Sequence, residues 1–225
     1  MKANELEIVS EKTFGEGGFL KLKRFGLRNI RGDGSKSESY TCDYAIRTKG
    51  ISDAVVVVLC RKQNKKWQVL LREGIRPALS TGRPEKDLVV EEPRPPIYFT
   101  EVVAGVLETS DKGEKDLFKR AQSEVWEEAG YKVSIEDLQF LGAPTFAAPA
   151  VIPEKLFLFW AQIDDGVEQE IPPGDGSPME EGAKTFWIDL DLALQRFFDG
   201  DYQDMKSELM LHRLKKNLDD NSTQP

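Results

Sequence analysis

Ala104-Gly105-Val106-Leu107-Glu108 leads through Gly113-Glu114 to Ser123-Glu124-Val125-Trp126-Glu127-Glu128-Ala129-Gly130-Tyr131. The interval Glu114 to Ala129 predicts one helix, stopped by Gly130. A helix advances roughly 100° per residue, so Glu124, Glu127 and Glu128 stand at i, i+3 and i+4 and share a face. Phe118, Ala121, Val125 and Ala129 form an adjacent apolar face that packs on a sheet. A solvated acidic face is one reading of these glutamates. They repel one another, however, and they cluster at the helix C-terminus, where the macrodipole disfavours negative charge. A divalent cation relieves both problems, and carboxylate oxygens suit hard cations such as Mg²⁺ or Mn²⁺.

Outward from this helix the chain alternates strands and loops. Ala54-Val55-Val56-Val57-Val58-Leu59-Cys60 is a β-branched run that predicts a buried central strand. Trp67 to Arg72 follows a polar turn and completes a hairpin. Further strands are expected at 97–103, 138–141, 155–161 and 186–188, with helices from Asp189 toward Phe198 and over 202–216. Gly74 to Pro96 and Gly166 to Gly182 read as long surface loops. Before residue 50 the chain is polar and turn-rich, with strands expected at Phe19–Phe25 and Tyr40–Arg47. Strands interleaved with helices imply an α/β layered domain over 51–218, preceded by a β arm over 1–50 and followed by a tail at 219–225.

The 225 residues carry 31 Lys and Arg against 39 Asp and Glu, a net charge of −8. That balance makes nucleic-acid backbones and anionic membranes poor partners. Nothing approaches the roughly 18 consecutive apolar residues of a membrane span, and Met1 to Glu11 lacks the apolar core of a signal peptide. Two cysteines, Cys42 and Cys60, are too few for a disulfide framework, and His212 is the single histidine. Metal ligands are therefore expected to be carboxylates, and the expected setting is the cytoplasm.

Residues 105–131 resemble the Nudix box, Gly-x5-Glu-x7-Arg-Glu-U-x-Glu-Glu-x-Gly-U, in which U is a bulky apolar residue. Gly105 matches its start, and Glu124, Val125, Glu127, Glu128, Gly130 and Tyr131 match its second half. Two departures stand out. Gly105 and Glu128 are 23 positions apart where the pattern has 19, and Ser123 occupies the position of the box arginine. Arg120, four residues before Glu124, is a candidate substitute for that arginine.

The resemblance extends over roughly residues 40–215 and is to the ADP-ribose and nucleoside-diphosphate-sugar pyrophosphatases of that superfamily. It is carried by Leu71-Arg72-Glu73-Gly74-Ile75-Arg76-Pro77, by Glu101-Val102-Val103-Ala104-Gly105 with Glu108, by Ala148-Pro149-Ala150 with Glu154, and by Gly200-Asp201-Tyr202-Gln203-Asp204-Met205-Lys206. It implies a Nudix α/β/α sandwich with a mixed sheet, and metal-dependent hydrolysis of a nucleotide sugar to a nucleoside monophosphate and a sugar phosphate. It further implies Glu124, Glu128 and the Ala104 carbonyl as metal ligands, with Glu127 as ligand or support. Glu181 or Glu180, on the loop before strand 185–188, is the implied base. Arg72 and Arg76 are the implied phosphate-binding residues, and Glu108 and Glu154 contact the ribose or metal-bound water. The N-terminal arm is implied as the element of a homodimer. The alternative is a Nudix-like ligand-binding or sensing module with weak turnover, for which Ser123 is the main support.

Overall fold

The computed structural model describes residues 3–15, 18–49, 51–83, 85–91, 97–164, 166–174 and 176–222. Parts of the loops expected at 15–18, 74–96 and 166–182, and the end of the tail, lie outside the described residues. The strands are β1 (Ala3–Phe14), β2 (Leu20–Arg31), β3 (Tyr40–Arg47), β4 (Ala54–Gln63), β5 (Lys66–Ile75), β6 (Tyr98–Glu101), β7 (Val103–Val106), β8 (Gln139–Phe140), β9 (Thr145–Ala148), β10 (Ile152–Gln162) and β11 (Lys184–Asp189). The helices are α1 (Pro77–Thr81), α2 (Gly113–Glu124), α3 (Leu190–Phe198) and α4 (Met205–Ser222). The chain divides into two compact units. One comprises Met1–Ala54, Val106–Ser110 and Thr145–Leu156; the other comprises Val55–Gly105, Asp111–Pro144 and Phe157–Pro225.

In the first unit β1, β2 and β3 form an antiparallel sheet in that order. The strands expected from sequence include β2 and β3 but not β1, although Leu6 and Ile8 alternate there with Glu5 and Glu7. Backbone pairing with β2 makes β1 a strand, running from Phe14↔Leu22 to Ala3↔Arg31 with register shifts between Ile8 and Ser10 and between Ala3 and Glu5. Cross-strand charge pairs support it: Glu11 with Lys23, and Glu7 with Lys36 at 2.5 Å. β9 pairs with the beginning of β10 in the same unit.

The second unit carries the larger sheet, an open mixed α/β assembly with strands in the order β11-β5-β4-β10-β8, β6 added to β5 and β7 to β4. The β4–β5 hairpin turns through Asn64 and Lys65, both at positive φ, the geometry that matches strand twist in a two-residue turn. Every residue from Ala54 to Cys60 is buried, so the central strand is covered on both faces. Over β10 and β8, Phe118 of α2 meets Phe140 and Phe159 edge to face at 5.0 Å. Toward β5 and β11, α3 contributes Ala193 and Phe197 to the core, and α4 contributes Met210, Leu211 and Leu214. Among the described residues, no helix is long and apolar enough to cross a membrane.

Two expected elements are corrected. The strand expected over 97–103 is two short strands broken at Val102. The helix expected over Glu114–Ala129 is α-helical only to Glu124. Val125–Ala129 then form a wider i→i+5 turn, closed by Gly130 at φ +70°. Such turns reorient side chains within an otherwise regular helix and recur at functional sites.

Candidate active site

The C-terminal half of β5 lies between β6 and β11, with Arg72 paired in register to Glu101 on one side and Thr185 on the other. This central placement buries the Arg72 side chain to 5% exposure. Its guanidinium is shared among carboxylates of three elements: Nη1 lies 2.6 Å from Glu128 Oε1 and 3.9 Å from Glu101 Oε1, and Nη2 lies 3.6 Å from Glu180 Oε1. Its Nε is buried without a hydrogen-bond partner. Glu101, at 2% exposure, also pairs with Arg76, and its Oε2 accepts from Lys206 Nζ at 2.6 Å.

Opposite this cluster is the end of the carboxylate helix. Glu128 Oε2 accepts the Ala104 backbone N–H at 3.0 Å. Glu124 lies flat against the neighbouring residue: a Cβ on Gly105 would fall 1.7 Å from Glu124 Cδ, so only glycine admits this carboxylate. Glu124 and Glu128 thus converge on two successive residues of β7. Glu127 goes elsewhere; its Oε1 accepts from Ser123 Oγ at 2.7 Å, and its carbonyl accepts the Gly174 N–H at 3.0 Å. The single face expected for three glutamates is resolved into a pair and a separate member.

Burial pushes the Glu128 carboxyl up to about 7, against the opposing pull of Arg72 and the Ala104 N–H. Arg72 thus divides its guanidinium between Glu128, Glu101 and Glu180, and Glu128 is raised by burial in spite of it. A buried carboxylate raised in this way, with an all-oxygen donor set against the Ala104–Gly105 backbone, fits a hard divalent cation. Among the described residues, no group of three or more His, Cys, Asp or Glu side chains is gathered as a ready metal cage.

The third wall is the loop before β11. A cavity of about 500 Å³ is lined by Arg72, Glu127, Glu128, Pro172, Glu180 and Glu181, among others. Ser177 caps a short turn over Pro178–Glu180, its hydroxyl accepting the Met179 N–H at 3.3 Å. Gly174, at φ +65°, leaves room for Glu180: a Cβ there would lie 2.4 Å from Glu180 Oε2. Glu180 is directed at Arg72, whereas Glu181 lines the cavity with its carbonyl accepting from the Tyr98 hydroxyl at 3.2 Å.

Of the residues expected from sequence, Arg72, Arg76, Ala104, Glu124, Glu127, Glu128, Glu180 and Glu181 all belong to the second unit. Glu108 and Glu154 belong to the first, where Glu154 pairs with Arg47 at 2.5 Å and Glu108 Oε2 lies 3.5 Å from Ser110 Oγ. Arg120 approaches Glu124 at 4.0 Å, but its Nε lies closer, at 3.1 Å, to Asp111. Sequence reasoning gave no role to Glu101, Asp204 or Lys206, although each stood in a quoted motif; their conjunction was the signal. His212 is exposed on α4, 4.0 Å from Glu208.

No family model matches the chain, and no curated protein matches it in sequence. Solved structures do match. The crystal structure of an ADP compounds hydrolase aligns with a TM-score of 0.65 at 14% identity, covering 98% of each chain. The NUDIX domain of Shewanella oneidensis NrtR, complexed with ADP ribose, aligns with a TM-score of 0.45 at 12% identity, over 73% of this chain and 86% of that one. An Ap4A hydrolase from C. elegans aligns with a TM-score of 0.42 at 17% identity, over 74% of this chain and 98% of that one. The chain shares the fold of the ADP compounds hydrolase.

Proposed function

We propose that the chain is a hydrolase that cuts the diphosphate bond of ADP-ribose or a related nucleoside diphosphate sugar, giving a nucleoside monophosphate and a sugar phosphate. The observation that carries this reading is the convergence of Glu124 and Glu128 on Ala104–Gly105 beside a buried arginine. The similarity in fold to an ADP compounds hydrolase supports the same substrate class. Glu124 and Glu128 would hold Mg²⁺ or Mn²⁺, with the Ala104 carbonyl completing the set. A bound cation supplies neutralisation of diphosphate charge and a lowered pKa for the attacking water.

The chain's own residues do the rest. Arg72 and Arg76 bind phosphate oxygens, a task suited to the planar guanidinium fork. Glu181 takes the proton from the attacking water, with Glu180 as the alternative base. Glu180 instead serves as a counter-ion to Arg72 in the structure described above. Glu127 buttresses the turn that carries Glu128, through Ser123 and Gly174. The proposal uses residues of the second unit only.

One observation favours a second reading. Ser123 stands at the box-arginine position, and Arg120 lies nearer to Asp111, at 3.1 Å, than to Glu124, at 4.0 Å. A binding or sensing module with weak turnover follows if that distance matters. Product release from ADP-ribose, ADP-glucose and GDP-mannose, with Mg²⁺ and with chelator, separates the two. Metal-dependent AMP or GMP supports the hydrolase. Ligand-induced thermal stabilisation without products supports the module. The same resemblance makes residues 1–50 a dimerisation arm of the 51–218 domain, and a monomer in sedimentation velocity would remove that assignment.

A further inference from the structure

The first turn of α4 faces the break between β6 and β7. Asp204 caps this helix: its Oδ2 accepts the Ser207 N–H at 3.1 Å and also the Ser207 hydroxyl, and an acidic cap suits the positive helix N-terminus. Ser207 is fully buried, and its Oγ accepts the N–H of Val102 at 2.8 Å. The adjacent Lys206 places Nζ 2.6 Å from Glu101 Oε2 and 2.8 Å from Asp204 Oδ2. Two successive residues of the helix therefore clamp the last residue of β6, Glu101, and the break residue, Val102. These lead directly into the Ala104–Gly105 backbone on which Glu124 and Glu128 converge.

Glu101 is nearly inaccessible to solvent and answers to three cations: Lys206, Arg76 and, at 3.9 Å, Arg72. Burial disfavours a charged Lys206, but the carboxylates of Glu101 and Asp204 more than offset it and hold its pKa above the ordinary lysine value. The cluster therefore contains a permanent third positive charge. In a site sheltered from water, removing it leaves one carboxylate to draw both guanidinium groups inward.

We propose that Lys206 is a positioning residue. By sharing the charge of Glu101, it leaves Arg76 and Arg72 free to turn to the phosphate oxygens of a diphosphate ligand. The inference rests on the diphosphate reading of the site and adds the start of the last helix to its machinery. It makes a charge-specific statement: the damage from losing Lys206 is repaired by neutralising Glu101, not by restoring bulk.

The test compares wild type, K206M, K206R, E101Q and K206M/E101Q. ADP-ribose is titrated calorimetrically in chelator, and steady-state kinetics are measured with Mg²⁺. K206M is expected to raise both Kd and KM about tenfold while kcat stays within about twofold. K206M/E101Q is expected to return Kd to within about threefold of wild type, and K206R to do likewise. A K206M chain whose melting temperature falls while Kd is unchanged has lost only packing and overturns the proposal, as does a double variant no better than K206M. If K206M does not fold, the double variant and K206R decide: wild-type affinity in both supports the proposal, and a tenfold loss in the double variant overturns it. Failure of the underlying reading looks different, because the wild-type chain then neither binds nor cleaves ADP-ribose.

Discussion

Arg72 divides its surroundings into two regions built from the same kinds of side chain. On one side Glu101, Arg76, Lys206 and Asp204 sit on strand ends and a helix start, and the two carboxylates are matched at close range by cations. On the other, Glu127, Glu128, Glu180 and Glu181 border an open cavity of about 500 Å³, carried by a widened helical turn and a loop. Glu101 and Glu128 both touch Arg72, and burial pushes the Glu128 carboxyl up to about 7. The first region is closed by ion pairs at close range, and the second opens on the cavity.

Arg72→Ala removes the bridge between the two and carries the largest expected effect. Cutting one member from a buried ion cluster strands the others, at a cost of about 3–5 kcal/mol. Urea unfolding checks this, and a loss below about 1 kcal/mol would mean that the two regions are independent. Next come the two loop glutamates. Glu181→Gln is expected to lower kcat about 10²–10³-fold with KM little changed, the effect of losing a general base. Glu180→Gln should act mainly on KM, because Glu180 is the counter-ion of the phosphate-binding Arg72. The reverse ranking would exchange their roles.

The pH dependence sharpens the contrast further. A carboxyl raised from 4.5 to about 7 keeps its proton in the folded chain where the unfolded chain has lost it. The folded state then binds more protons between these values, so stability falls as pH rises through that window. Below pH 4.5 both states are protonated and the penalty vanishes. In chelator, wild type is therefore expected to lose on the order of 2–3 kcal/mol relative to Glu128→Gln between pH 4.5 and pH 8. Thermal melts across that range measure the difference. Mg²⁺ at pH 8 should narrow it, since the cation supplies the charge that the proton otherwise withholds.

Much of this was legible in the chain before any coordinates. The run Ala54–Cys60 announces a strand covered on both faces, and Gly130 marks the helix end through its positive φ. The carboxylate pair is visible from spacing, because i and i+4 neighbours meet in almost any helical turn. What spacing does not show is the i→i+5 turn at Val125–Ala129, since an extra residue per turn leaves no mark on composition. β1 is harder to read, because its alternation is confined to Glu5–Ile8 and the rest of the strand is held by backbone pairing with β2. Lys206 and Glu101 lie 105 positions apart, and their contact is fixed only when the β6–β7 break and the Asp204 cap are in place. Single motifs give residues; their pairing is a property of the fold.

The smallest expected effect concerns how the open region is held. The Tyr98 hydroxyl donates to the Glu181 carbonyl at 3.2 Å from a side that is partly exposed, so Tyr98→Phe should cost only about 0.5–1 kcal/mol of stability. Its consequence should be sharper in turnover than in melting, because the bond fixes the turn that aims Glu181; a drop in kcat of about two- to fivefold is expected. Gly182 makes the test specific. At φ +70° it already favours glycine, and a Cβ there would lie 2.3 Å from the Tyr98 hydroxyl oxygen. Gly182→Ala therefore suffers both backbone strain, about 1 kcal/mol, and a clash. Removing the hydroxyl relieves the clash and leaves the strain. In the Tyr98→Phe background, Gly182→Ala should accordingly cost less than it does in wild type, and strictly additive losses would show that the tyrosine does not hold this turn.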